Sequence, residues 1–122
     1  YAASDLIVLP SHYDGFPNVL IEAMVLGKPL IAAAVGGMAD VLVDGETAFL
    51  FPPGDEAGCQ DAIARAVDAS DEALQTMAAR AMAVAREQCD ARTETARYLD
   101  VLDRITGEKP TCQDSQSSSA PF

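Results

Sequence analysis

Two short apolar runs, residues 6–9 (Leu-Ile-Val-Leu) and 30–34 (Leu-Ile-Ala-Ala-Ala), flank a turn-and-helix stretch at residues 14–27. This order restricts the fold more than any other feature of the chain. Neither run alternates apolar with polar residues, so each reads as a strand covered on both faces. Strands joined through a helical crossover run parallel in one sheet. The loops that follow them, residues 11–17 and 35–37, then open on a common edge, where open α/β sheets hold their ligands. A third strand is expected at 48–51, closed by Pro52, Pro53 and Gly54. Helices are expected at 18–27, 38–43, 55–69, 71–88 and 91–106, with Asp55 as an N-cap. Leu74, Met77, Ala78, Ala81, Met82 and Ala85 recur at helical spacing and are expected to face the core. Thr95, Leu99, Leu102 and Ile105 are expected to point inward from the last helix. From Gly107 the chain loses periodicity and bulk, so 107–122 reads as a disordered tail. The fold class is therefore α/β, with about three parallel strands and flanking helices.

The stretch from Asp14 to Gly27 carries the chemistry. Gly15 admits a tight turn, Pro17 suits a first helical position, and Gly27 is a C-terminal stop. Between Asn18 and Gly27 only Glu22 is polar, which predicts a helix buried on most sides and a carboxylate in need of a partner. Lys28 or a backbone donor could be that partner. Asn18 and Glu22 are four residues apart and share a helical face. The helix start also offers the N–H groups of Asn18, Val19 and Leu20, together with a positive dipole end. An anion cradle with a carboxylate beside it suits a phosphate joined to a ribose. His12 and Tyr13 lie in the preceding loop, within reach of a ligand or simply solvated. Gly36 and Gly37 either let backbone approach a ligand or merely turn the chain.

The run Leu-Pro-Ser-His-Tyr-Asp-Gly-Phe-Pro, followed after four residues by Glu-Ala-Met and then Gly-Lys-Pro, resembles the signature of retaining GT-B glycosyltransferases of family 4. Asp14 and Glu22 take the places of that family's Glu-x7-Glu pair. The likeness continues through Val35-Gly36-Gly37, Asp44-Gly45 and Phe51-Pro52-Pro53-Gly54-Asp55. It departs from the family's common residues at Asp14 (Glu), Ala39 (Pro), Asp40 (Glu) and Ala48 (Gly). The resemblance implies a partial Rossmann-like domain in which residues 1–106 are the C-terminal half of a GT-B donor-binding domain. The other half, with its Arg/Lys pair, and the N-terminal acceptor domain would lie outside the chain. It further implies that Asp14, matching the first acid of the pair, approaches the hydroxyls of the transferred sugar and is the catalytic residue, with Gly15 and Phe16 donating N–H groups to that sugar. Asn18 and Val19 would hold the diphosphate, and Glu22 the ribose hydroxyls. The implied donor is a nucleotide-diphosphate sugar, the acceptor is unknown, and neither metal nor cofactor is required.

Charge and cysteine usage narrow the alternatives. A formal net charge of −11 makes nucleic acid and anionic membrane poor partners. No stretch is apolar enough for a signal peptide or a membrane span, so a cytoplasmic location is expected, with membrane contact only through the absent domain. Cys59, Cys89 and Cys112 are odd in number and widely spaced, which fits neither a disulfide framework nor a zinc site. A chain opening on Tyr1 rather than Met is expected to be a piece of a longer or processed protein. Two other readings stand beside the glycosyltransferase. One is a truncated, catalytically silent module that binds another polypeptide through its sheet edge. The other is a flavodoxin-like ligand-binding domain, weakened because no Gly-x-Gly-x-x-Gly is present.

Overall fold

The computed structural model describes residues 1–88 and 91–107, without the side chains of 91–94. Cys89, Cys112 and the expected tail beyond Gly107 lie outside the described residues. In chain order the elements are β1 (Ile7–Leu9), α1 (Asn18–Val25), β2 (Leu30–Ala33), α2 (Gly36–Val41), β3 (Phe49–Phe51), α3 (Glu56–Asp68), α4 (Asp71–Gln88) and α5 (Ala91–Thr106). Contacts group the residues up to Asp90 into one compact unit and those from Ala91 into another.

The three strands form a parallel sheet in the order β1-β2-β3, with Ile7 opposite Leu30 and Ile31 opposite Phe49. The central strand β2 is buried along its whole length. Its short Ala32 and Ala33 leave room for covering helices to come close. α3 packs on β3 and β2, α2 packs on β2, and α1 packs against α4. Leu20, Met24, Leu30, Ile31 and Met38 are the largest fully buried side chains. Burying each contributes about 1.5–3 kcal/mol. On α4 the buried residues are Met77, Ala78, Ala81 and Ala85, the face its spacing predicts.

Two sequence expectations about burial fail, for one physical reason. β1 is not covered all round: it stands at the sheet edge, and Val8 is 38% exposed. α1 buries only Leu20, Ala23 and Met24, leaving Val19, Val25 and Leu26 exposed. Apolar content states how much a segment could bury, not what lies beside it. β1 bonds to β2 through Ile7, whose N–H reaches the Pro29 carbonyl at 3.0 Å, and through Leu9. The parallel pattern therefore turns the N–H and C=O of Val8 outward. At the other edge Leu50 holds the matching position, but its groups are engaged. Its N–H donates to Asp44 Oδ1 at 2.7 Å and its carbonyl accepts from Arg65 Nη2 at 3.1 Å.

Local chemistry sets the element ends. Pro17 is the N-cap of α1 rather than its first helical residue. At the other end Gly27 takes φ +63°, its N–H bonds the Met24 carbonyl at 3.1 Å, and the Lys28 N–H bonds that of Ala23 at 3.0 Å. That is a Schellman stop. Asp55 caps α3 by accepting the Gly58 N–H at 3.0 Å, as its sequence position predicts. No described helix is long and apolar enough to cross a membrane.

The helix of the second unit, α5, has the expected bounds, and an Asp100–Arg104 pair at 2.7 Å lies along it. Along it Leu102 and Ile105 are 37% and 76% exposed and Thr95 is exposed. Leu99 is half-buried. Spacing fixes which residues share a face, not what covers them.

Candidate functional site

The loops that follow β1 and β2 meet at the C-terminal edge of the sheet. The Gly37 N–H donates to the Gly15 carbonyl at 2.6 Å. A Cβ on Gly36 would run into the Asp14 carbonyl oxygen, and one on Gly37 would stand 2.8 Å from that of Gly15. Gly36 also has φ +47°, a conformation side chains disfavour. The missing side chains of both glycines make room for this contact. One loop thus seats against the other. α2 starts at Gly36 rather than at residue 38.

That contact leaves the stretch from Gly15 to Val19 with its donors open. Among the described residues, nothing accepts from the backbone N–H of Gly15, Phe16, Asn18 or Val19. All four residues are exposed. The Leu20 N–H, expected to be available, is instead bonded to the Pro17 carbonyl at 3.0 Å. Four donors without a protein acceptor, on exposed residues at the start of α1, are what an anion cradle requires, and a helix dipole would add to them. The Asp14 carboxylate stands at the head of this stretch, half-buried, and no described residue bonds it. Asn18 and Glu22 both face solvent, about 6 Å apart along the α1 axis at 1.5 Å per residue.

Glu22 does have a partner, though not the expected one. The Tyr1 phenol donates to Glu22 Oε2 at 2.7 Å. Lys28 instead donates to the Ser4 carbonyl at 2.8 Å. The hydrogen bond to Glu22 raises the Tyr1 pKa above the ordinary 10.0, with lost hydration and the carboxylate's charge acting in the same direction. Sequence reasoning missed Tyr1, because 21 residues separate it from Glu22 and no local spacing relates them.

The other loop residues take plainer roles. The His12 ring lies over Gly54, 3.5 Å from where a Cβ would stand, and lines a hollow of about 160 Å³ with Pro10, Phe51, Asp55 and Cys59. Tyr13 is 94% exposed. A larger hollow of about 380 Å³, lined by Glu46, Ser70, Thr76 and Arg80 among others, is at the N-terminal edge of the sheet, away from the loops. Among the described residues no group of three or more His, Cys, Asp or Glu is placed to hold a metal ion. Cys59 is a half-buried free thiol.

This fold is shared with solved structures of GT-B glycosyltransferases. Sucrose-phosphate synthase from Thermosynechococcus elongatus superposes with a TM-score of 0.76 at 28% identity, over 87% of this chain and 26% of that one. Anabaena HepE in complex with UDP-glucose gives a TM-score of 0.75 at 30% identity, over 84% and 28%. In sequence, the D-inositol 3-phosphate glycosyltransferase of a Nocardioides species is 38% identical over 108 residues, covering 88% of this chain and 23% of that protein. The 2-deoxystreptamine N-acetyl-D-glucosaminyltransferase of Niallia circulans is 47% identical over 58 residues, covering 48% and 15%. The chain spans a quarter or less of the length of such curated relatives. Residues 1–69, which contain both loops, the four open N–H donors and Glu22, match the family described as glycosyl transferases group 1. The chain belongs to the glycosyl transferases group 1 family.

Proposed function

We propose that this chain is the donor-side part of a retaining family 4 glycosyltransferase, which moves a sugar from a nucleotide-diphosphate sugar to an acceptor. Residues 1–106 then serve as the C-terminal half of the donor-binding domain, completed by the rest of a longer protein. The observation that carries this reading is the row of unengaged N–H groups from Gly15 to Val19, with Asp14 before it and Glu22 one helical turn after it.

The chemistry follows from that row. Asn18 and Val19 donate to the diphosphate, and the α1 dipole supports the charge that grows on the leaving nucleoside diphosphate. These dipoles are fixed by the fold, so they need no reorganisation as the bond breaks. Gly15 and Phe16 donate to the hydroxyls of the transferred sugar. Asp14 faces the sugar where positive charge develops, and Glu22 accepts from the ribose hydroxyls. Retention of configuration and the family 4 assignment rest on the resemblance of the Asp14–Glu22 motif to that family's signature. Family membership disfavours the flavodoxin-like alternative. The interaction-module reading draws on the outward N–H and C=O of Val8 alone, and the same edge would also receive the other half of a larger sheet.

The test uses the full-length enzyme and separates the two acids. Glu22→Gln replaces a charge-assisted bond worth about 1.5–3 kcal/mol with a weaker neutral one, so nucleoside-diphosphate affinity falls by roughly one to two decades. Asp14→Asn depresses single-turnover rates far more than that affinity. Asp14→Glu retains or raises activity by restoring the longer reach. Normal turnover of bound donor in Asp14→Asn, with weakened diphosphate binding, would reduce Asp14 to a turn residue.

A further inference from the structure

Glu22 is exposed on α1, and an exposed glutamate samples several rotamers. A ligand that needs one of them must overcome that freedom. Here the freedom is already reduced by Tyr1, whose phenol holds Oε2 at 2.7 Å. Tyr1 is itself tied down. Its carbonyl accepts from the Ser4 N–H at 3.1 Å and from Ser4 Oγ at 2.8 Å. The Ser4 carbonyl accepts from Lys28 Nζ at 2.8 Å, and the Lys28 N–H closes the end of α1 on Ala23 at 3.0 Å. The turn at residues 1–4 is thus strapped to the helix that carries Glu22.

We infer that Tyr1 is a positioning residue, holding one oxygen of Glu22 so that the remaining acceptor positions of the carboxylate meet the vicinal hydroxyls of the donor's ribose. A carboxylate offers about four lone-pair sites. The phenol takes one, which leaves enough for two hydroxyls. A phenol also suits the task better than a lysine, because it gives a single proton without neutralising the charge that strengthens the ribose bonds. A phenol, ordinarily ionising near 10.0, keeps that proton at neutral pH, and Glu22 only raises its pKa further. The inference rests on the ribose reading of Glu22.

The experiment measures binding to the full-length enzyme of whichever of UDP, GDP and ADP binds most tightly, and of its 2′,3′-dideoxy form. Wild type prefers the ribose form, and Glu22→Gln removes most of that preference. Tyr1→Phe lowers affinity for the ribose form about three- to tenfold, leaves the dideoxy form unaffected, and adds little in the Glu22→Gln background. A purely structural role for the phenol would weaken both ligands alike. If Glu22→Gln preserves the preference, or none of the three nucleotides binds, the ribose reading fails and takes this inference with it. If Glu22→Gln removes the preference but Tyr1→Phe weakens both forms equally, weakens neither, or strengthens the ribose form, only the role of Tyr1 is overturned.

Discussion

Gly15 and Gly36 meet in one loop contact yet answer differently to an added methyl group. Nothing lies within 4 Å of a Cβ on Gly15, whose φ is unremarkable, whereas a Cβ on Gly36 meets backbone carbonyl oxygens at a positive φ. Gly15→Ala should leave the urea midpoint almost unchanged. Gly36→Ala should cost about 2–3 kcal/mol, since clash and strain add. Equal midpoints for the two variants would mean that the loops are not held in contact. Tyr1 gives a second prediction at this scale. Its folded pKa is raised, so the stability it contributes is complete below the ordinary 10.0 and is lost as pH rises through the higher value. Ultraviolet titration should therefore show one phenol ionising late, and Glu22→Gln should move it back toward 10.0. An unmoved curve would show that the two side chains do not meet in solution. Asn18 and Glu22 could be related through helical spacing, and Asp14 to the loop before them, because these relations are local. Tyr1 was not legible, since its contact depends on where residues 1–4 cross α1, which no periodicity encodes.

At the scale of the element, the outer edge of β3 is closed by side chains rather than by another strand. Asp44 accepts the Leu50 N–H and pairs with Arg65 at 3.2 Å, while Arg65 reaches the Leu50 carbonyl and lies 5.4 Å from the Phe49 ring centre. Arg65 Nε is also 3.0 Å from Asp61, near enough for an ion pair but without hydrogen-bond alignment. Two effects compete to explain what Asp44 contributes. The ion pair has side chains 36% and 52% exposed, so water screens it to about 0–1 kcal/mol. The bond to a strand N–H is worth about 1 kcal/mol and leaves an orphaned donor when removed. Asp44→Asn, which keeps the acceptor and loses the charge, should therefore shift stability by less than about 0.5 kcal/mol. Asp44→Ala should lower it by about 1–2 kcal/mol. Equal losses in urea melts would give the weight to the charge instead. The strands and helices themselves were readable, because turn residues and apolar spacing punctuate this chain clearly. The start of α2 was not, since Gly36 and Gly37 look like loop until their packing against Asp14 and Gly15 is seen.

Across the whole molecule the two sheet edges differ, and the difference bears on the proposed half-domain reading. Leu50 has its outward groups bonded by Asp44 and Arg65, whereas those of Val8 face outward from a strand that is 38% exposed at that residue. Beside β1 lies an apolar hollow of about 250 Å³ lined by Leu6, Ile63, Ala66, Val67 and Leu74 among others. Ile63 and Val67 on α3 are 40% and 77% exposed. A sheet that continued past β1, with a helix laid over its face, would cover the strand and the hollow together. Amide hydrogen exchange reads this directly. In the 122-residue chain the Val8 N–H should exchange at nearly the rate of a free peptide, as an unpaired edge donor does. In the longer protein that the proposal requires, Val8 becomes part of a central strand and exchanges only through global opening. With about 5 kcal/mol of stability, that slows it by roughly three to four decades. The Leu50 N–H, bonded in both, should change far less and serves as the internal reference. Fast exchange of Val8 in the longer protein would make β1 a true edge, and the half-domain reading would fall. Slow exchange in the short chain, deepening with protein concentration, would instead assign the edge to a second copy of the chain. Glycosyl transfer by the short chain alone would contradict the reading from the other side, because on that reading the acceptor is oriented by a domain outside these residues.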